Sequence, residues 1–184
     1  FELSDAMQGK TNIEEVFNQL PTENLRDSKK TEINESYKTS KTIAVAGSMH
    51  RIGTTTQALQ IVKYLLLNGF KACYIQMNSS EYVQSAKNYY VGTIIDEETG
   101  KITYQSVDMF YKKEKIADIL TLHYDYYVYD FGCMLNSSES SIVQFLEKDI
   151  RIIVCGSKAN EIQNFQGVTD LTGTSSVEYI FSFT

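Results

Sequence analysis

Apolar runs alternate with amphipathic stretches from residue 41 onward, a pattern typical of an α/β protein. Thr42–Ala46 is a short apolar run that ends at Gly47, which predicts a strand. The helix predicted after it carries five apolar residues on one face, namely Ala58, Leu59, Val62, Leu65 and Leu66. Lys71–Ile75 predicts a second strand. Together these elements form a βαβ unit, whose crossover is right-handed.

The rest of the chain continues the alternation of helices and strands. A helix is predicted over 80–90, and Ser79 or Ser80 is expected to cap it. Further helices are predicted over 114–122, 140–147 and 160–165. Further strands are predicted over 126–129, 151–155 and 177–183, and a β-hairpin over 93–95 and 102–104. This order predicts a doubly wound, mostly parallel sheet with a hairpin insertion. The chain ends at its last predicted strand, where such a fold usually adds a helix, so we expect a domain trimmed at its C-terminus.

Residues 1–40 follow a different pattern. Thr11–Glu14 fits a capping box, and apolar residues follow at helical spacing up to Pro21, which ends the predicted helix. Residues 22–41 are polar and of mixed charge, as in a linker. We therefore divide the chain into a helix with a linker, 1–40, and a P-loop-like α/β domain, 41–184. The helix either docks on the domain, the interpretation we favour, or serves as a partner-binding or dimerisation arm.

Composition narrows the classes of function. The chain has 184 residues and a formal charge of -6, which argues against a protein that coats DNA or anionic membranes, although a local basic patch stays open. No apolar run approaches the roughly 20 residues that span a bilayer. Cys73, Cys133 and Cys155 are scattered, which favours reduced cysteines in a cytoplasmic protein over a zinc cluster.

The segment from Gly47 to Thr55 matches the phosphate-loop pattern G-x-x-x-x-G-K followed by Ser or Thr, except that Thr54 replaces the lysine. It follows a strand and opens a helix, so backbone N–H groups and a helix N-terminus converge on an anion. The alternative is a tight turn that binds nothing. The predicted nucleotide-binding residues are Gly47, Ser48, Met49, His50, Arg51, Ile52, Gly53, Thr54, Thr55, Thr56 and Gly132.

A second motif lies at the end of the predicted central strand. Asp130 closes that strand and Gly132 follows two residues later. In P-loop proteins such an Asp holds a Mg²⁺-bound water and the Ser or Thr of the loop binds the metal, so Thr55 and Asp130 are the predicted metal residues. We expect both motifs at the carboxyl ends of adjacent strands, where open α/β sheets bind ligands. The alternative is an Asp that caps the following turn.

Residues 42–78 and 124–132 together resemble the MinD/ParA branch of P-loop ATPases. That family carries two loop lysines, and in this chain Met49 and Thr54 stand at their positions. His50 and Arg51 replace the paired glycines between them, and Gln76-Met77-Asn78 stands where the family has Asp-x-Asp. The resemblance implies a site for ATP or ADP with Mg²⁺, and the departures imply that hydrolysis is not efficient.

Within that branch, the Gly-Thr-Thr ending of the loop is closest to the TadZ/CpaE subgroup. That subgroup comprises atypical ATPase-like proteins that help to place pilus or secretion machinery at a cell pole. The resemblance implies a degenerate nucleotide-binding or pseudo-ATPase module that acts through homodimerisation and partner proteins. Two alternatives are a slow ATPase in which Arg51 replaces the lysine, and a purely structural domain whose loop is closed by His50 and Arg51.

Overall fold

Eight strands form one sheet in a computed structural model that describes residues 39–173 and 175–182. The strand order is β3-β4-β5-β2-β6-β1-β7-β8, and only the β3–β4 and β4–β5 pairs are antiparallel. The bounds are β1 Lys41–Gly47, β2 Ala72–Gln76, β3 Ile94–Asp96, β4 Lys101–Tyr104, β5 Val107–Phe110, β6 Tyr126–Cys133, β7 Ile150–Gly156 and β8 Glu178–Ser182. The predicted doubly wound α/β sheet and its hairpin are confirmed.

Helices follow most of the parallel strands. They are α1 Thr54–Leu67, α2 Tyr82–Tyr89, α3 Ile116–Leu120, α4 Glu139–Leu146 and α5 Ile162–Thr172, with 3₁₀ turns at Lys113–Lys115, Met134–Asn136 and Ala159–Glu161. Alternate residues of the central strands point to opposite faces of the sheet. On one face Ile119, Phe145 and Val168, from α3, α4 and α5, join a core cluster with the strands. The apolar face of α1 is buried as well and lies outside that cluster.

Three helix boundaries were predicted wrongly. The helix α2 begins at Tyr82, and neither Ser79 nor Ser80 caps it, because the buried Gln76 side chain accepts a hydrogen bond from Val83 N instead at 2.9 Å. The 114–122 helix is a 3₁₀ turn followed by the short α3. The helix predicted over 160–165 continues as α5 to Thr172. For α2, a side chain seven residues before Val83 supplies the contact that local spacing did not indicate.

The strand β5 was not predicted. It pairs in parallel with β2 and antiparallel with β4, so the predicted hairpin is part of a three-strand meander that ends inside the parallel sheet. Gln105 and Ser106 take positive φ values of 47° and 65°, and they turn the chain from β4 into β5. Asp108 interrupts the apolar residues of β5, so no strand was predicted there, yet β5 carries the chain back to the carboxyl edge of the sheet.

The predicted N-terminal helix and almost all of its linker lie outside the described residues, so the 1–40 and 41–184 division stays a prediction. No helix in the described part of the chain is long and apolar enough to cross a membrane.

Several tyrosines lie in or beside the sheet with strongly perturbed acidity. Desolvation raises the pKa of Tyr74 and Tyr124, and Asp130 and Asp108 respectively add to the effect. Tyr124 OH donates to Asp108 Oδ2 at 2.6 Å. Burial also raises the pKa of Tyr129 to about 12 and that of the Cys155 thiol to about 12. All of these groups are therefore held neutral in the native state.

We expect the free energy of unfolding to fall steeply as the pH rises above about 10. Each of these tyrosines has a higher pKa in the folded than in the unfolded state, so its contribution is fully present below the unfolded pKa of about 10. For the buried Tyr74 it is then lost at up to about 1.4 kcal/mol per pH unit until the folded pKa is reached, and for the half-buried Tyr124, which solvent partly screens, the loss is smaller. Urea unfolding from pH 8 to 11 measures this. Tyr124→Phe should make the decline shallower, and a flat profile to pH 11 would contradict the prediction.

Candidate nucleotide-binding site

The predicted phosphate loop joins the end of β1 to the first turn of α1. Ser48 N donates to Val154 O at 2.9 Å, which ties the loop to β7, and Gln57 N donates to Gly53 O at 2.9 Å where the helix begins. Arg51 takes a φ of 61°, a conformation that costs a non-glycine residue about 1 kcal/mol or more, whereas His50 avoids positive φ. The expected strain is thus present at one of the two positions.

Position 47 requires glycine because there is no room for a Cβ atom, and not because of its φ angle. A Cβ atom at Gly47 would overlap Thr54 Oγ1 and lie 2.8 Å from Ile52 Cγ2. Thr54, at the lysine position, is buried, and its hydroxyl lies close over the α-carbon of Gly47. The start of the loop is therefore tightly packed, and the short side chain of Thr54 fills this space where the pattern has a lysine.

Asp130 lies fully buried inside β6, opposite Val45 of the loop strand β1. The expectation that it closes the strand was wrong, because β6 continues to Cys133 past a register shift in its pairing with β1. Thr55 Oγ1 donates to Asp130 Oδ2 at 2.6 Å, and Tyr74 OH donates to the same oxygen at 2.7 Å. Gly132 N donates to Asp130 Oδ1 at 2.9 Å. The two predicted metal residues are therefore in contact across 75 positions of the sequence. A hydroxyl held by a carboxylate at this place suits Mg²⁺, which prefers oxygen ligands and keeps several waters.

Asn78 lies two residues after the end of β2, and hydrogen bonds connect this segment to β6. Met77 N and Asn78 N donate to Asp130 O at 2.9 and 3.2 Å, and Asn78 Nδ2 donates to the same oxygen at 3.2 Å. Asn78 Oδ1 accepts from Ser80 N at 2.9 Å. A Cβ atom at Gly132, whose φ is 69°, would lie 2.8 Å from Asn78 Cβ. Asn78 thus makes structural hydrogen bonds and carries no negative charge into the site.

An open cavity of about 670 Å³ lies above the loop and the ends of β2 and β6. Its lining is polar and apolar in about equal parts and comprises Met49, His50, Arg51, Gly53, Thr54, Thr55, Thr56, Met77, Asn78, Ser79, Ser80, Lys113, Phe131, Gly132, Cys133, Ser137, Ser138 and Ser141. Among these described residues there is no Asp or Glu, while Arg51 and Lys113 carry positive charge. The cavity is therefore suited to an anion, although the chain as a whole is acidic.

Eight of the eleven predicted nucleotide-binding residues line this cavity. Gly47, Ser48 and Ile52 instead lie buried behind its wall. Two site residues were not predicted from the sequence. Tyr74 was predicted only as part of a strand, and Lys113 follows the unpredicted β5. The serines before α2 and α4 were not predicted either. The apolar residues Val107, Met109 and Phe110, which follow a polar turn, could have predicted β5. With β5 predicted, Lys113 would have been placed near the carboxyl edge of the sheet.

The described residues fit a Mg²⁺-nucleotide. The loop base leaves no room for a Cβ atom at Gly47, and the Thr55–Asp130 pair is formed. In the described ranges no group of three or more His, Cys, Asp or Glu could hold a metal ion by itself. This agrees with a magnesium ion that one hydroxyl, waters and substrate phosphates would hold.

Solved structures with a similar fold include MinD and ParA family proteins. MinD from Aquifex aeolicus matches with a TM-score of 0.58 and 14% identity over 77% of this chain and 69% of that chain. A putative plasmid partition protein from Borrelia burgdorferi, bound to AMPPNP, matches with a TM-score of 0.53 and 18% identity over 77% and 75%. The chimerical protein CapA2B2 matches with a TM-score of 0.57 and 12% identity over 85% and 87%.

No family model matches the sequence, and no curated protein matches it. At these low identities the structural matches establish the fold alone. The fold matches that of MinD and ParA family proteins, as predicted from the sequence.

Proposed function

We propose that this domain binds Mg-ATP or Mg-ADP in the cavity above residues 47–56 with negligible turnover, and that the bound state governs its assembly with other proteins. The Thr55–Asp130 hydrogen bond of 2.6 Å carries the proposal, because it places a metal-binding hydroxyl beside a buried carboxylate at the first turn of α1. Asp130 also accepts from Gly132 N in the following turn, but that bond does not involve Thr55. Backbone N–H groups at the helix N-terminus would hold phosphate, and the metal would neutralise charge on it.

The same site supports the lack of turnover. Thr54 and Met49 bring no charge to the phosphates, and the side-chain amide of Asn78 is engaged on both its atoms. A carboxylate that positions the attacking water is therefore missing at the end of β2. Loss of one preorganised charge-stabilising group typically lowers the rate by roughly 10²–10³-fold, and several are replaced here.

Two alternatives differ from the proposal in measurable ways. A slow ATPase would use Arg51, which lines the cavity, and would show turnover that falls on Arg51→Ala. A purely structural domain would bind no nucleotide because His50 and Arg51 close the loop. Both of these side chains are exposed and the cavity is open, which favours binding over occlusion.

The finer assignment concerns assembly. Among the structures with this fold is a MinC:MinD cell division protein complex from Aquifex aeolicus, at 15% identity and a TM-score of 0.57. We propose a cytoplasmic homodimer that positions a larger assembly of the TadZ/CpaE type, in which partner proteins rather than nucleic acid are bound. The degenerate loop, Gly53–Thr55, is the feature that favours this subgroup.

Calorimetric titration with Mg-ATP and Mg-ADP, with the mass in solution followed in parallel, tests the proposal. We expect saturable binding that requires Mg²⁺, a nucleotide-dependent or constitutive dimer, and phosphate release indistinguishable from a protein-free control. Turnover that disappears in Arg51→Ala would favour the slow ATPase. If neither nucleotide binds at millimolar concentration, the alternative of a purely structural domain is favoured.

Cys133 provides a second readout, because it lines the cavity and is only half-buried. Cys73 and Cys155 are buried, and desolvation raises the pKa of both thiols. We therefore expect one thiol to react quickly with a maleimide at pH 7.5 and two to react slowly, and we expect Mg-nucleotide to slow the fast one. Cys133→Ser should remove the fast phase. A fast phase unchanged by saturating nucleotide would contradict binding in this cavity.

A further inference from the structure

Lys113 reaches the candidate site from the opposite side to the phosphate loop. It begins the turn Lys113–Lys115 three residues after β5, which pairs in parallel with β2. The strand β2 pairs in turn with β6, where Gln76 lies opposite Asp130. Parallel strands end at one edge of a sheet, so Lys113 lines the same cavity as Thr55 although no sequence motif connects them.

The charge of Lys113 is not committed to another group in the described part of the chain. Its two neighbouring lysines are engaged, since Lys112 Nζ donates to Glu97 O at 2.5 Å and Lys115 Nζ lies 3.3 Å from Asp118 Oδ2. No described residue forms a hydrogen bond or ion pair with the Lys113 ammonium, which is exposed at the cavity wall. An uncompensated cation in a cavity attracts an anionic ligand.

The position of Lys113 indicates which part of a nucleotide it would meet. The strand order β5-β2-β6-β1 places the loop and the N-terminus of α1 at one wall and Lys113 at the opposite wall. In a bound Mg-nucleotide the loop amides would hold the inner phosphates, Thr55 and Asp130 would hold the metal, and the terminal phosphate would lie beyond them. A cation on the wall beyond Asp130 therefore lies on the side of the terminal phosphate.

We propose that Lys113 binds the terminal phosphate of a nucleoside triphosphate and supplies the positive charge that Thr54 and Met49 do not. This inference rests on the proposed nucleotide site and adds to it a preference for the triphosphate over the diphosphate. The positive charge would then come from the turn after β5, which β2 and β6 separate from the loop strand β1.

Binding of Mg-ATP and Mg-ADP to the full chain and to Lys113→Ala tests this assignment by calorimetry. We expect Lys113→Ala to weaken Mg-ATP binding by about tenfold or more, as for loss of a charge-assisted hydrogen bond, and to weaken Mg-ADP binding by less than about threefold. Lys113→Arg should retain most of the ATP affinity. Lys115→Ala is the matched control, because Lys115 lies two residues away and outside the cavity lining, and it should leave both affinities unchanged.

Each outcome decides a different point. Wild-type protein that binds neither nucleotide would overturn the proposed function and this inference with it. Wild-type binding that Lys113→Ala leaves unchanged would overturn the role of Lys113 alone. Equal weakening of ATP and ADP would overturn the assignment to the terminal phosphate. Equal melting temperatures of wild type and Lys113→Ala, expected for an exposed side chain, would show that the fold is retained.

Discussion

Replacing Asp130 by Ala lowers the expected free energy of unfolding by about 3 kcal/mol, because the hydrogen bonds from Tyr74 OH, Thr55 Oγ1 and Gly132 N lose their acceptor. Tyr74 is itself fully buried, so water cannot replace the carboxylate, and its hydroxyl would keep Thr55 as a hydrogen-bond partner. Urea unfolding followed by fluorescence or circular dichroism measures the loss. A change below about 1 kcal/mol would contradict this account of the site.

Asp130→Asn is the matched control that separates stability from metal binding. The amide keeps an oxygen for Gly132 N, and its NH₂ group can donate to the hydroxyls of Tyr74 and Thr55, which also act as acceptors. We therefore expect its stability to lie within about 1 kcal/mol of wild type. Without the carboxylate, the Mg²⁺ dependence of nucleotide binding should be lost. Retained Mg²⁺ dependence in a folded Asp130→Asn protein would contradict the metal role of this residue.

Gly47→Ala is the second change for which we expect a large effect. The new methyl group would overlap Thr54 Oγ1 and lie 2.8 Å from Ile52 Cγ2, so the loop has to open at its base. Overpacking of this kind typically costs about 1–3 kcal/mol. Because the displaced segment also carries the amides that face the cavity, we expect nucleotide binding to be lost with it. Thermal unfolding and nucleotide titration measure the two effects.

A second substitution tests whether the clash is the cause. Thr54→Ala in the Gly47→Ala background removes Oγ1, so it should recover part of the stability, whereas Thr54→Ala alone should be mildly destabilising or neutral. A double-mutant cycle therefore gives a favourable coupling energy between positions 47 and 54. Additive effects would show that the Gly47→Ala defect arises elsewhere in the loop.

Local pattern was sufficient from β1 to β2. The run 42–47, the loop and the amphipathic α1 lie where they were predicted, because a buried strand and a one-sided helix each impose a periodicity on the sequence. Pattern was less informative after β2. The cap of α2 is the buried Gln76 side chain, and no rule of local spacing indicates a residue that acts seven positions away through the fold.

The candidate site shows the same division. The Thr55–Asp130 pair was predicted because each residue belongs to a motif and both motifs follow strands that a parallel sheet places side by side. Tyr74 and Lys113 belong to no motif. The hydroxyl of Tyr74 meets Asp130 only because β2 and β6 are neighbours, and Lys113 reaches the cavity only because β5 joins β2.

The sequence by itself determined the α/β class, the position of the phosphate loop, the loss of its lysine and the residue that pairs with Thr55. These properties depend on chemistry that is local along the chain. The tertiary structure alone decided that the cavity is open, that Asn78 makes structural hydrogen bonds and that a lysine 59 positions beyond Thr54 enters the same site. The reason is physical, since the carboxyl edge of a parallel sheet brings together strand ends that are far apart in sequence.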